Sequence, residues 1–537
     1  MKLSTGIALA VRVGIALITC TFFQPDEYFQ SLEVAHHLVF GFGHLTWEWL
    51  SSTPIRSIVY PGLNVPVYWV LKVLGLDNTR LLIWGPKIIH GVFAAGTDIW
   101  LCDLTRKVLG ERYVLTALFL SLTSFFHGLS LARSFSNSLE TSLTVIALSY
   151  FPWHHDENAF KRQEIRRMLI FAALACVIRP TNAIIWVYMF AALLWRLPRK
   201  PTYLASVLVD TVCIGSVILG VLVLIDSAYY GALTITAINF LRTNLSSVSL
   251  FYGTSPWHYY FSQAMPLLCT TALPFVLHGM LLAARVGTGA LQTLSGLIVW
   301  TIGIYSLLGH KEWRFIHPIL PLMHVLASRS LVPSRRHDKL KSSLPLGRVY
   351  RLLLLLNIPA IVYVMLFHGR AQVDVVRYLA NLRAGEVSSI GFLMPCHSTP
   401  WQAYMHRSDL ADEGRIWALG CEPPLSGQDM QFYQDQTDIF FNSPPVYLHT
   451  RFPREVNPFF PPSPFPFTAP GASTSSKDWA HEWPQYLVMF GALLDDEVRS
   501  ILESRRYREV WRSGTGWEGD QRRRGGVKVW SFQPVLD

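Results

Sequence analysis

The first residues that could do chemistry are Asp26 and Glu27, in TFFQPDEYFQ (21–30). These adjacent carboxylates follow directly on an apolar run beginning near Ile7, with Phe22, Phe23, Tyr28 and Phe29 around them. A carboxylate in such a place can act as general base on a hydroxyl. A second group lies in HKEWR (310–314), where His310, Lys311 and Arg314 crowd around Glu312. Cations at that density can hold a phosphate, arginine through two parallel bonds. Arg133 and Arg179 stand alone at span ends and could join such a clamp. Aromatic faces and polar partners combine in DSAYYG (Asp226, Tyr229, Tyr230) and SPWHYYF (Trp257, His258), a composition suited to a sugar ring. Each has a plainer reading: ionisable side chains snorkel or pair with a neighbour, and the aromatics form an interfacial belt.

One base and one cationic clamp suffice to move a group from a lipid phosphate to a hydroxyl. The phosphate departs without strong acid help once cations hold its charge. Side by side, Asp26 and Glu27 do not make a glycosidase pair, whose carboxyls must flank the scissile bond.

The elements positioning these residues are membrane spans. Of 537 residues, 51% are hydrophobic and only 15% charged, against roughly 25% in a soluble domain. The mean hydropathy is +0.29. Apolar stretches near the length needed to cross hydrocarbon recur at roughly 6–23, 84–104, 113–132, 139–152, 168–182, 183–197, 203–228, 264–284, 290–308, 316–332 and 351–368. The expectation is a polytopic α-helical membrane protein of about eleven spans, its first helix a retained signal anchor. The net charge of +10 is spread over loops as a topology signal and does not point to nucleic acid.

With the N-terminus in the cytosol, the basic loops 106–112, 154–167, 196–200, 283–285 and 334–341 all fall on the cytosolic side. The far side then receives Asp26, Glu27, Arg133, Arg179, Asp226, Arg242, His258 and HKEWR, together with the sequon at Asn244, a glycosylation candidate. The segment 28–83 is too polar and proline-punctuated to cross; Trp47, Trp49, Tyr60, Tyr68 and Trp69 predict helices lying at the interface. After Gly369 the composition turns to short apolar stretches between polar loops, including the proline-rich 461–467. The predicted division is a membrane domain over 1–370 and a small α/β domain over 371–537 on the far side. Five of the seven cysteines lie in or beside apolar spans. Cys396 and Cys421 lie in the polar part and could pair in an oxidising lumen. No cysteine or histidine spacing indicates a metal.

Four stretches carry a family resemblance: QPDEYFQSLEVAH (24–36), DSAYYG (226–231), NFLRTNLSSVSLFYGTSPWHYYFSQAMP (239–266) and HKEWRFIHPILPL (310–322). Together they resemble the endoplasmic-reticulum mannosyltransferases of the GT-C type, which draw mannose from dolichyl-phosphate mannose. PDEYFQSLEVAH and MPCHSTPWQAYMH (394–406) look more like the glycosylphosphatidylinositol (GPI) branch that adds a third mannose. The resemblance implies a GT-C fold and inverting α-1,2 transfer from dolichyl-phosphate mannose to a GPI precursor glycolipid, with no metal or other cofactor. It places the base at Asp26 or Glu27, Asp26 opening the motif, and phosphate contacts at His310, Lys311 and Arg314. The parts given to Arg133, Arg179, Asp226, Tyr229, Tyr230, Trp257 and His258 follow from placement alone.

A flippase for a lipid-linked sugar is the rival from another class. It should carry its charges near the bilayer midplane and show inverted repeats, and neither is visible. A scaffold subunit would not need both motifs. Sibling enzymes, adding a fourth GPI mannose or extending N-glycan precursors, stay open. The stretch MPCHSTPWQAYMH is expected to be a structural loop packed against the membrane domain.

Overall fold

A computed structural model describes residues 3–154, 161–197, 201–333, 344–424, 429, 432–463 and 480–534. The basic loop 334–341 and the second half of 461–467 lie outside them. The chain forms two compact units. One comprises residues up to Thr19, Ile55–Tyr60 and Trp84–Met365; the other comprises Cys20–Pro54, Pro61–Ile83 and Leu366–Asp537. The division is therefore not a single cut near residue 370. Most of the polar first loop belongs with the C-terminal part, because its buried side chains and its one fully buried carboxylate find their partners there.

In the first unit, helices occupy every apolar stretch read from the sequence. Pro201–Tyr230, Tyr260–Val286, Gly289–Leu307 and Arg348–Ala380, the last running on into the second unit, are long and apolar enough to cross a membrane by themselves. Others are more polar because protein surrounds them. Ser136–Ser149 is buried along almost its whole length. Its hydroxyls bond back one turn, Thr141 to the Asn137 carbonyl (2.7 Å) and Thr144 to that of Glu140 (2.8 Å). Arg12, in Leu3–Ile18, is fully buried and donates to Asp98 of Leu81–Leu109 at 2.7 and 3.1 Å. It also donates to the Ser121 carbonyl (2.9 Å), so the charges are paired and satisfied. Gly91 lets the same two helices touch: a Cβ there would lie 2.8 Å from the Val13 Cα.

The second unit is built on a five-stranded sheet. Its strands are β1 (Ile390–Leu393), β2 (Ile416–Ala418), β3 (Tyr486–Phe490), β4 (Tyr507–Ser513) and β5 (Val527–Phe532), in the order β2-β1-β3-β5-β4. β2, β1 and β3 are parallel, whereas β5 is antiparallel to β3 and β4. Both faces are covered, so β1 is buried at every position. Ile390, Phe392, Val488 and Val529 pack with Val373, Val376 and Leu379 of Ala371–Ala380. On the other face Trp417, Leu487, Met489 and Trp530 pack with Val498, Ile501 and Leu502 of Asp496–Ser504.

Candidate active site

In the first unit the HKEWR segment leads into a short 3-10 helix, Trp313–Ile319. Glu312 is its hub. The carboxylate takes a bond from Arg314 Nη2 at 2.8 Å, pairs with Arg314 Nε, and lies 3.2 Å from His310 Nε2. His310 Nδ1 faces the Gly253 carbonyl at 3.1 Å. Both partners of the ring are acceptors, so the full pair of bonds needs a proton on each nitrogen. The His310 pKa is accordingly raised, first by the bond to Glu312. Burial pushes Glu312 upward, but the Arg314 charge and the two hydrogen bonds outweigh it and bring the carboxyl down to about 2. Lys311 is buried with its ammonium on the Ser255 carbonyl (2.8 Å), and among the described residues no carboxylate pairs with it.

A second carboxylate joins this group. Glu140 lies 3.4 Å from Arg179 Nε and accepts from Asn182 (2.9 Å). Asn137 spans the two centres, with Glu140 Oε2 at 3.4 Å and the Arg314 carbonyl at 3.3 Å. Arg179 also donates to Ser136 Oγ (3.1 Å), and its charge interacts with those of Arg314 and Arg56. Arg179 lies over Phe315 and Arg314 over Phe135, at 5.6 and 5.3 Å from the ring centres. Cations outnumber carboxylates here, which is the arrangement an anionic group needs.

Other predicted residues of this unit do different things. Asp226 is fully buried and accepts from Ser57 Oγ (2.9 Å), the Ile58 amide (3.1 Å) and Thr236 Oγ1 (2.5 Å). Those donors occupy both oxygens and tie segment 55–60 to the helix end, so Asp226 fastens the fold and does not face a sugar. Tyr230 serves the same junction, its hydroxyl on the Arg56 carbonyl (2.7 Å), with Tyr229 edge-on to it. Arg133 is buried and donates to the Leu129 carbonyl (2.8 Å). Trp257 is 71% exposed, His258 bonds Ser262 (2.9 Å), and Asn244 donates to the Phe240 carbonyl (2.8 Å).

The acidic pair belongs to the second unit. Asp26 and Glu27 open a helical stretch that continues through the π turn Tyr28–Leu32 into Glu33–Phe40. Glu27 is buried and Asp26 is partly accessible, which favours Asp26 as the carboxylate that meets a substrate. Six residues after Glu27, Glu33 is fully buried and accepts from the amides of His44 (2.9 Å), Gln402 (3.2 Å) and Ala403 (2.8 Å). Burial raises it to about 7 against the pull of those three donors. The stretch 394–406 thus packs on the first-loop helix. Tyr404 meets Tyr28 edge-on at 5.3 Å, and His406 bridges His36 (2.8 Å) and Asp77 (3.2 Å). Cys396 and Cys421 form a disulfide, Cα atoms 5.9 Å apart. Beside it, His397 adopts a left-handed backbone conformation and lies 4.4 Å from Phe29 between ring centres. Burial lowers His397 to about 4, while the charge of Asp26 acts the other way.

Residues 5–406 match the Alg9-like mannosyltransferase family. The chain belongs to that family. Among relatives of this mannosyltransferase, GPI mannosyltransferase 3 of Yarrowia lipolytica is 39% identical over 453 residues, covering 84% of this chain and 83% of that protein. The human GPI alpha-1,2-mannosyltransferase 3 is 32% identical over 509 residues, covering 94% and 82%. Among solved structures, ArnT of Cupriavidus metallidurans bound to undecaprenyl phosphate aligns with TM-score 0.57 over 99% of this chain and 98% of its own, at 11% identity. That likeness shows the fold, which is GT-C.

Arg56, Glu140, Glu33 and His397 are brought beside the predicted site residues only by the fold of this mannosyltransferase. Glu140 had a signal: it opens the apolar span read over 139–152, close after Ser136 and Asn137, a costly place for an unpartnered acid. Glu33 had none beyond membership of the acidic motif, because its partners are backbone amides, two of the three some 370 residues away.

Proposed function

We propose that the chain transfers mannose from dolichyl-phosphate mannose in α-1,2 linkage to a GPI precursor carrying two mannoses, adding the third. The observation that carries this reading is the 39% identity to a GPI mannosyltransferase 3 over 84% of the chain. Asp26 takes the proton from the acceptor hydroxyl as that oxygen attacks the anomeric carbon, with inversion. The bond to the lipid phosphate breaks, and His310, Lys311, Arg314 and Arg179 hold the departing charge. Glu312 and Glu140 keep the cations oriented without cancelling them. No metal or other cofactor enters the scheme. The reaction runs on the lumenal side of the endoplasmic reticulum, with the N-terminus cytosolic, the C-terminal part lumenal and Asn244 on the glycosylated side.

The test supplies purified protein with labelled dolichyl-phosphate mannose and a synthetic two-mannose GPI acceptor, and follows product mass. Wild type is expected to add one hexose. Asp26→Asn is expected to lose on the order of 10²–10⁴-fold in rate with unchanged thermal unfolding. Full activity in that variant would remove Asp26 as the base. Transfer only to a three-mannose GPI or an N-glycan precursor would replace the acceptor.

A further inference from the structure

The second unit contains a cavity of about 530 Å³, inside the 300–1,000 Å³ range of small-molecule sites. One wall is the chain running into Asp26, from Phe22 to Pro25. Opposite walls come from His397 of the disulfide loop and from the connection between β4 and β5, which supplies Glu518, Asp520 and Arg523. Its polar groups pair with one another, Glu518 largely buried and the Asp520–Arg523 pair about half exposed. Glu518 Oε1 accepts from the Gly369 amide (2.6 Å) and pairs with His368 (2.7 Å). Asp520 is bonded by Arg523 Nη1 (2.5 Å) and by the Arg523 amide (3.1 Å). Phe22 is fixed by stacking on Tyr28, ring centres 5.3 Å apart and nearly parallel.

This lining offers an anion no spare cation: Glu518 is already paired with His368 and Asp520 with Arg523. Paired carboxylate oxygens, a planar donor and the aromatic walls of Phe22, Phe23 and Phe490 suit instead a neutral, many-hydroxyl ligand. Its position is the second argument, because the residue after Pro25 is the proposed base. The third is sequence range. The family match ends at residue 406, so the β4–β5 connection lies beyond the matched segment, where enzymes sharing one donor chemistry are free to differ in acceptor.

We propose that this cavity holds the mannose-bearing glycan of the acceptor, and that Glu518, Asp520 and Arg523 select it by bonding its hydroxyls. The proposal rests on the reading of Asp26 as base, and the experiment separates the two. Gln372→Trp, on a lining residue of Ala371–Ala380, narrows the cavity without touching the carboxylates; Glu518→Gln with Asp520→Asn removes their charge. Both are compared with wild type in full-length protein, measuring KM for acceptor and donor separately. Binding of methyl mannobioside, a soluble probe, is followed by saturation-transfer NMR. The expected result is a tenfold or greater rise in acceptor KM, donor KM within twofold, and loss of the mannobioside signal in Gln372→Trp. Unchanged acceptor KM and retained probe signal in both folded variants would overturn the cavity assignment while leaving Asp26 in place. Asp26→Asn that keeps activity, beside cavity variants that lose acceptor affinity, would remove the base and leave the cavity. Acceptor and donor KM rising together in both variants would mark the cavity as structural and overturn the proposal.

Discussion

Glu312, partly accessible, and Glu33, fully buried, stand one in each unit, and their environments move them in opposite directions. Glu312 has cations for partners and is held down to about 2. Glu33 has only backbone amides and is lifted by burial to about 7. A carboxylate among cations stays charged at every physiological pH and arranges them. A carboxylate among amides titrates near neutrality, so its hold on the chain depends on its proton. The first setting suits a site that meets a phosphate; the second suits a joint between two parts of the sequence.

The comparison can be broken from either side. The largest effect is expected at Arg12→Leu in the first unit, which leaves Asp98 buried and unpaired at a cost of about 3–5 kcal/mol. Thermal unfolding in detergent checks it, and the Arg12→Leu, Asp98→Leu double variant should recover much of the loss. Next, Arg314→Gln removes a clamp cation and should lower kcat/KM by about 10²–10³-fold. Steady-state kinetics at saturating acceptor would show whether the loss sits with the donor. Third, the raised pKa of Glu33 means that the folded chain binds an extra proton between about pH 4.5 and pH 7. Its contribution is fully present below the lower value, is lost as pH rises through about 7, and totals on the order of 3 kcal/mol. Glu33→Gln should flatten that slope in unfolding curves taken from pH 5 to pH 8. Glu312 should show the reverse sign, its contribution present above the ordinary carboxylate range and lost toward pH 2. The smallest effect is expected at Gly91→Ala, where the added methyl meets the backbone of Leu3–Ile18. A loss of about 1–3 kcal/mol, read as a lower unfolding temperature, is the expected outcome.

The helical stretches were legible because hydrocarbon imposes a length and a composition. Their packing was not: Ser136–Ser149 reads as a weak span only because its hydroxyls bond within the helix and protein surrounds it. The HKEWR charge cluster was visible because its members are neighbours in sequence. Asp226 illustrates the opposite failure. A charge at a span end invites a functional reading, and only coordinates reveal three donors already on it. The Cys396–Cys421 pair could be anticipated from the polar company of both thiols. That 394–406 packs against the first part of the chain was expected too; that its partner is the first-loop helix was not, since amide donors leave no mark in side-chain chemistry.

That packing also sets a timetable. Glu33 is made early and its amide partners Gln402 and Ala403 some 370 residues later. At about 5–20 residues per second, the first loop waits roughly 20–75 s on the ribosome before its partner exists. Throughout that interval Tyr28, Phe29 and Leu32, all buried in the finished protein, have nothing of the second unit's sheet to cover them. The chain itself therefore cannot cover that helix until synthesis is nearly complete, and a chain cut short before residue 402 is expected to be degraded, which a pulse-chase would show.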